Sequence, residues 1–405
     1  MIDYLAWRGE FPFAVTPWCA VDGVLMATVS YLNFHGIEDA KGWTFSEAER
    51  IGLLRDDSEA SSSFENRSRA FRAMAESVRF RDCRMHHFIA ISDAEKKIQF
   101  SAMCIDLPDG TMCVAFRGTD NTIVGWREDF DMAYQVRVPA QEAAVYYLAQ
   151  AAECTDRPLR VVGHSKGGNL AVYAAALADA DVQDRIVAVE SFDGPGMNRE
   201  MAQEEGYLRL KPKIRSYIPQ SSIIGLLMEY YEPYTVVKST ASGISQHDPM
   251  TWQVYGPRFE EMEGIDHMAE VVRDTLHEWL EQSTPEQRGA FVEALFQMVD
   301  ATKATRFSDL TGEKLRSLLT MVGNRKDVEP ETRRVFNRLM AQAVTLGFGN
   351  VVDLGKSILK RADAPSHGEE KPAASAAEAP EGEKEPPDMG PGENRAAEAA
   401  TDPRE

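Results

Sequence analysis

The sequence predicts an α/β fold: a mostly parallel sheet flanked by helices, followed by a C-terminal helical appendage and a disordered acidic tail. Three observations carry this prediction. Short apolar runs of strand type alternate with helix-forming stretches between residues 88 and 237, the pattern of a largely parallel sheet covered on both faces. A Gly-rich turn, Gly163-His164-Ser165-Lys166-Gly167-Gly168, joins one such run to a helix. Beyond Tyr255 the strand signals stop and only helical apolar spacing continues.

Residues 1–82 read as helical with loops. Asp22 is placed to cap a helix carrying Leu25, Val29 and Leu32. Thr44-Phe45-Ser46-Glu47 fits a capping box that opens a second helix, residues 56–63 are polar and loop-like, and Phe71, Met74 and Val78 mark a third helix. His86 and His87 are expected to precede the first strand, over residues 88–91. Strands over 98–107 and 111–116 are joined through Pro108-Asp109-Gly110, where Cys104 and Cys113 are expected to flank the turn and face one another as a reduced pair. A helix over 140–154, a strand at Leu159-Arg160-Val161-Val162 and a helix over 169–177 come next, then strand runs at 186–189, 214–218 and 234–237. Met268, Val272, Leu276, Trp279 and Leu280 share one helix face, and Thr284-Pro285-Glu286-Gln287 opens another helix with a cap and a proline at its first position. Apolar spacing then runs through Phe291, Leu295, Val299, Leu315, Leu318, Leu319, Val335, Leu339 and Ala343. The expected organisation is an α/β domain over 1–263, a helical appendage over 264–362 and a tail over 363–405. That tail has no aromatic residue and carries 12 acidic against 4 basic side chains, the composition of a disordered segment.

With 405 residues, 43% of them hydrophobic, the chain can bury a full core. A net charge of −20 argues against nucleic acid or an anionic membrane as partner. The start Met1-Ile2-Asp3-Tyr4-Leu5 lacks the basic and apolar regions of a signal peptide, and no run approaches 18 uncharged apolar residues, so the expected location is cytoplasmic without membrane insertion. Five scattered cysteines with no Cys-x-x-Cys pair point to reduced thiols. No phosphate-cradling Gly loop and no paired metal ligands occur in the sequence, so neither cofactor nor metal is expected.

Ser165 is the best clue to chemistry. A serine hydroxyl is a poor nucleophile, and a sharp strand-to-helix turn exposes it to a base and to backbone donors. Gly163 and Gly167, two residues either side, let the chain make that turn without a Cβ clash. The base is expected after the last strand, and among eight histidines His247, in Gly243-Ile244-Ser245-Gln246-His247-Asp248-Pro249, is best placed. His164 is expected to point away from the reaction. Two N–H donors must face the developing oxyanion: the amide of Lys166 is one, and Thr119, after the run Val114-Ala115-Phe116-Arg117-Gly118, supplies the other.

These residues carry a resemblance. Phe116-Arg117-Gly118-Thr119, followed by Trp126 and Glu128-Asp129, resembles the oxyanion segment of class 3 lipases, an α/β-hydrolase family, and Phe192-Asp193-Gly194-Pro195-Gly196 resembles that family's Phe-Gly-x-Pro segment. Residues 3–255 look more closely like a bacterial branch of that superfamily grouped as a domain of unknown function. In that branch a Trp-Arg-Gly start (Trp7, Arg8, Gly9), the Gly-His-Ser-Lys-Gly-Gly-Asn elbow and the Gln-His-Asp loop occur together. The resemblance implies an α/β-hydrolase fold and its machinery, names no substrate, and leaves the helical appendage and tail outside.

The acid that orients His247 departs from the lipase pattern, which supplies it after the strand matching residues 214–218. Here that loop, Pro219-Gln220-Ser221-Ser222-Ile223-Ile224-Gly225, has none. Asp193 is the substitute that keeps the chain order Ser165, Asp193, His247. The alternatives are a Ser222-assisted dyad, or Glu229 and Glu232. The expected function is therefore a serine hydrolase of carboxylic, including lipid, esters, with Ser165, His247 and Asp193 catalytic and a small ester or lipid-like molecule as substrate. One alternative is a catalytically silent hydrolase-fold scaffold whose helical appendage recruits a protein partner. Another is a thioesterase or acyltransferase using the same residues.

Overall fold

The strand runs legible in the sequence become consecutive strands of one sheet. A computed structural model describes residues 1–301 apart from 35, 55–61, 94, 97, 120–126, 130, 133, 134 and 136. The strands are β1 (Trp43–Thr44), β2 (Arg84–Asp93), β3 (Ile98–Asp106), β4 (Met112–Phe116), β5 (Leu159–His164), β6 (Ile186–Phe192), β7 (Ile214–Pro219), β8 (Tyr234–Val237), β9 (Val254–Tyr255), β10 (Arg258–Phe259) and β11 (Glu261–Met262). Nine of them form a sheet in the order β1-β2-β3-β4-β5-β6-β7-β8-β11, while β9 and β10 pair separately. From β1 to β4 the pairing is antiparallel, and β3 turns into β4 at Gly110, whose φ of +87° a side chain would strain. From β4 to β8 it is parallel, because each link climbs back over the sheet. β11 closes the far edge antiparallel to β8.

Alternation along the central strands sorts their side chains into two cores. Ile105, Cys113, Ala115, Val162 and Phe192 pack with buried residues of α1 (Ile2–Arg8), α2 (Ala20–Val29), α3 (Phe45–Arg50) and α4 (Ser62–Glu76). Cys104, Val114, Phe116 and Val161 face the other way, into a core with α5 (Pro139–Glu153), α6 (Lys166–Leu177) and, beyond the short α7 (Ala180–Arg185), α8 (Glu205–Leu210). Each buried branched or aromatic side chain contributes about 1.5–3 kcal/mol to this layering. An antiparallel lead-in, a parallel run and helices on both faces make the architecture that of an α/β-hydrolase.

Local signals behave as their chemistry dictates. In the capping box Thr44 Oγ1 accepts from the Glu47 amide at 3.2 Å and Glu47 Oε2 from the Thr44 amide at 2.9 Å. The same exchange joins Thr284 and Gln287, at 3.3 and 2.8 Å, at the start of α10 (Pro285–Ala301). In α9 (His267–Gln282) Val272, Leu276 and Trp279 are buried, and Ala269 packs with Ile218, Leu226 and Val236 beside β7 and β8. No helix among the described residues is long and apolar enough to cross a membrane. Leu315, Leu318, Leu319, Val335, Leu339, Ala343 and the acidic tail lie outside the described residues.

Four local expectations are corrected. Asp22 caps α2 from within and not from its first position: the helix starts at Ala20 after Cys19, and the Asp22 carboxylate, three residues on, takes the Cys19 amide as half of a capping box. The same carboxylate takes the Tyr4 hydroxyl and a buried bidentate contact from Arg79 at 2.9 and 2.6 Å. Val78 lies beyond the end of α4 at Glu76. His86 and His87 lie within β2, not before it. Cys104 and Cys113 do not face one another: register puts Cys104 opposite Val114 and Cys113 opposite Ile105, on opposite faces, and all five cysteines are free.

Candidate active site

The parallel strands β5, β6 and β7 end at one edge of the sheet, where open α/β sheets place their ligands. β5 ends at His164 and α6 begins at Lys166, so Ser165 alone makes the turn. Its φ of +60° and ψ of −137° are rare for a residue with a Cβ. The crowding explains the glycines: a Cβ on Gly163 would lie 1.9 Å from the Gly167 carbonyl oxygen, and one on Gly167 would lie 2.2 Å from that of Phe116. Ser165 N–H donates to the Phe192 carbonyl at 2.9 Å, tying the elbow to the end of β6.

Asp193 follows β6 at once, with φ +50°, and its amide donates to the Tyr217 carbonyl at 2.7 Å. Its fully buried carboxylate receives His247 Nδ1 at Oδ2, 2.6 Å away, and the Ser222 hydroxyl at Oδ1, 2.5 Å away. An Nδ1 proton held this way leaves Nε2 of His247 with its lone pair. Ser222 and His247 thus share the Asp193 carboxylate, one at each oxygen. Glu232 binds the hydroxyls of Ser216 and Tyr207, and Glu229 lies 3.8 Å from His277.

The His247 loop is held by its neighbours. Gln246 accepts from the Ser221 amide at 3.0 Å and donates to the Ser221 hydroxyl at 2.9 Å, and Trp252 Nε1 donates to the Gln246 carbonyl at 2.8 Å. Asn169 of α6 donates to the Gly196 carbonyl at 2.7 Å and accepts from Gln141 at 2.9 Å, fixing the segment after Asp193.

His164 engages both ring nitrogens away from the Ser165 hydroxyl, with its ring against that of His247. Its ring lies 4.6 Å from that of His247, and its Nε2 is 2.7 Å from the His247 carbonyl oxygen. A carbonyl only accepts, so Nε2 carries the proton and Nδ1 accepts from Tyr31 Oη at 2.8 Å. Tyr31 Oη in turn accepts the Gly118 amide at 3.1 Å. Burial and the nearby His247 and Arg67 hold the His164 imidazole well below its usual pKa, so it stays neutral. Alternation along β5 puts His164 on the face of Val162, which packs with α2, and its partner Tyr31 follows that helix.

The two proposed oxyanion donors flank the elbow. A Cβ on Gly118 would meet Ser165 Cβ at 2.7 Å, so the Gly118-Thr119 segment lies against Ser165. Thr119 Oγ1 donates to Asp129 Oδ2 at 2.5 Å. Lys166 is the first residue of α6, where a backbone N–H has no partner within the helix. Its side chain, fully buried, donates to Glu128 Oε2 at 2.7 Å and to the Gln99 carbonyl at 2.9 Å. Glu128 also takes the Gln99 and Ala140 amides. Burial lifts the Asp129 carboxyl to about 6, against the pull of Lys166 and Thr119. Tyr31 and the Lys166 side chain were missed in the sequence; a lysine beside Ser165 with a Glu-Asp pair 38 and 37 residues earlier was the available signal for the second. Trp126 lies outside the described residues.

Comparison with known proteins bears on this arrangement. The family model described as Mbeg1-like matches residues 74–297, more than half of the chain. That match starts later than the sequence resemblance and runs on through α9 and most of α10. Among solved structures, the chain is similar to a triacylglycerol lipase described as having a serine protease triad as its catalytic centre (13% identity, 55% of this chain and 80% of that one, TM-score 0.35). It is also similar to the lipase from Rhizopus microsporus var. chinensis (13% identity, 62% and 82%, TM-score 0.34) and to the Rhizomucor miehei lipase propeptide complex (14% identity, 55% and 68%, TM-score 0.32). No curated protein matches.

Proposed function

The chain belongs to the Mbeg1-like family, and from that premise and the geometry of the site we propose that it is a serine hydrolase of carboxylic esters, lipid esters included, working through an acyl-enzyme on Ser165. The observation that carries this reading is the 2.6 Å contact between His247 and buried Asp193, with the His247 ring 4.6 Å from that of His164, the residue before a serine held at φ +60°. A strained elbow and an imidazole oriented on a buried carboxylate are costly to keep for packing alone.

In this mechanism Nε2 of His247 takes the Ser165 proton as Oγ attacks the ester carbonyl. Asp193 keeps the imidazole in the tautomer that can do so and stabilises the imidazolium that forms. Backbone N–H groups of Thr119 and Lys166 hold the oxyanion, and the buried Lys166–Glu128 and Thr119–Asp129 contacts keep those amides aimed. The imidazolium protonates the leaving alcohol, and water, activated by the same nitrogen, then releases the acid. A fluorophosphonate probe tests the reading: the wild-type protein is labelled and Ser165→Ala is not. An unlabelled wild type across the pH range, or equal labelling of Ser165→Ala, would overturn it and favour the scaffold reading.

A further inference from the structure

Away from Ser165, the fold gathers three metal-ligating side chains that the sequence scatters. In β2 the pairing with β3 is irregular: His86 lies opposite Cys104, and the next paired residue, Ile89, lies opposite Ala102. His87 sits in that irregularity with φ +52°, a left-handed conformation rare outside glycine. The kink breaks the alternation that would send adjacent side chains to opposite faces. As a result one ligand atom from each of His86, His87 and Cys104 lies within 4.8 Å of the other two. The two Nδ1 atoms are only 2.5 Å apart.

Nε2 of His86 is buried without a hydrogen-bond partner, and Asp106 Oδ1 lies 3.5 Å from it. A carboxylate beside one ring nitrogen keeps the proton there and leaves the other nitrogen as the ligand. The Tyr147 hydroxyl donates to the His87 carbonyl at 2.7 Å and lies 3.4 Å from Cys104 Sγ, fixing the backbone of one ligand beside the sulfur of another. His87 and Cys104 also line a cavity of about 510 Å³. On its rim Cys154, a free and exposed thiol following α5, has Sγ 3.9 Å from His87 Nε2.

We propose that His86, His87 and Cys104 form a tetrahedral zinc site whose fourth position opens to this cavity. Two imidazoles and a thiolate are a borderline-soft donor set that suits Zn²⁺ and not calcium or magnesium. Zn–N bonds of about 2.0–2.1 Å place tetrahedral nitrogens about 3.3 Å apart, so the two rings separate slightly when the ion enters. The ion would cross-link β2 and β3.

Titration of the chelator-stripped full chain with Zn²⁺ against a chromophoric chelator tests the site. One Zn²⁺ per chain is expected. Affinity should fall about 10- to 100-fold in Asp106→Asn, the effect of losing an outer-shell partner, and about 100-fold or more in Cys104→Ser and His87→Asn. Ser165→Ala should bind as the wild type does. The Co²⁺ form should show a thiolate charge-transfer band that Cys104→Ser lacks. Asparagine tolerates left-handed backbone, so His87→Asn keeps the test valid if circular dichroism shows Cys104→Ser unfolded. Wild-type protein that binds no Zn²⁺, binding of equal strength in the ligand variants, or a Co²⁺ form without the thiolate band each overturns the proposal.

Discussion

Asp193 is held from three directions: His247 at one carboxylate oxygen, the Ser222 hydroxyl at the other, and its own amide on the Tyr217 carbonyl. In sequence Ser222 and Asp193 look like rivals for one role. Side by side they share it, the hydroxyl fixing the carboxylate that fixes the imidazole. Asp193→Asn is therefore expected to lower kcat for ester hydrolysis by about 10⁴ with little change in KM, because the wrong histidine tautomer results. Ser222→Ala removes a hydrogen bond to a charged group worth about 1.5–3 kcal/mol, so a fall in kcat of about tenfold to hundredfold is expected. Steady-state turnover of a short-chain ester reads both effects. Wild-type turnover in Asp193→Asn would remove this residue from the mechanism.

At the scale of elements, the β5–α6 elbow depends on backbones in contact. Gly167→Ala would drive a Cβ to 2.2 Å from the Phe116 carbonyl, where backbone cannot yield cheaply. A loss of more than about 3 kcal/mol in urea denaturation is expected, together with loss of turnover. The capping box of α3 offers the contrast. Thr44→Ala removes one acceptor from a first-turn amide and should cost about 1 kcal/mol, leaving turnover intact. A Gly167→Ala variant as stable as Thr44→Ala would contradict the close approach. Both features were legible beforehand because each lies within a few residues of chain. The contacts of His164 were not, since its partners Tyr31 and His247 lie 133 and 83 residues away along the chain.

The whole molecule carries buried carboxyls whose ionisation opposes the fold. Glu190, on β6, is covered by α2 and accepts from Trp18 Nε1 at 3.1 Å; burial pushes its carboxyl up to about 7, and that of Asp129 to about 6. With folded pKa values above the ordinary carboxylate range, their contribution to stability is full below about pH 4 and is lost as pH rises through 6 and 7. The urea midpoint is therefore expected to fall between pH 5 and pH 8, and to fall less in Glu190→Gln; an equal fall in that variant would exclude Glu190 as a cause. Much of this architecture was readable in advance. Apolar periodicity located β2 to β8 and most of the helices, and glycine spacing marked the elbow, because those signals arise between residues close along the chain. Strand order, face and register are set by packing between distant segments. Only folding brings residues 31, 119, 165, 193, 222 and 247 to one edge of the sheet, and a single left-handed residue in β2 sets two histidines beside Cys104. A linear pattern carries no such distances, since they follow from how a complete sheet stacks and twists.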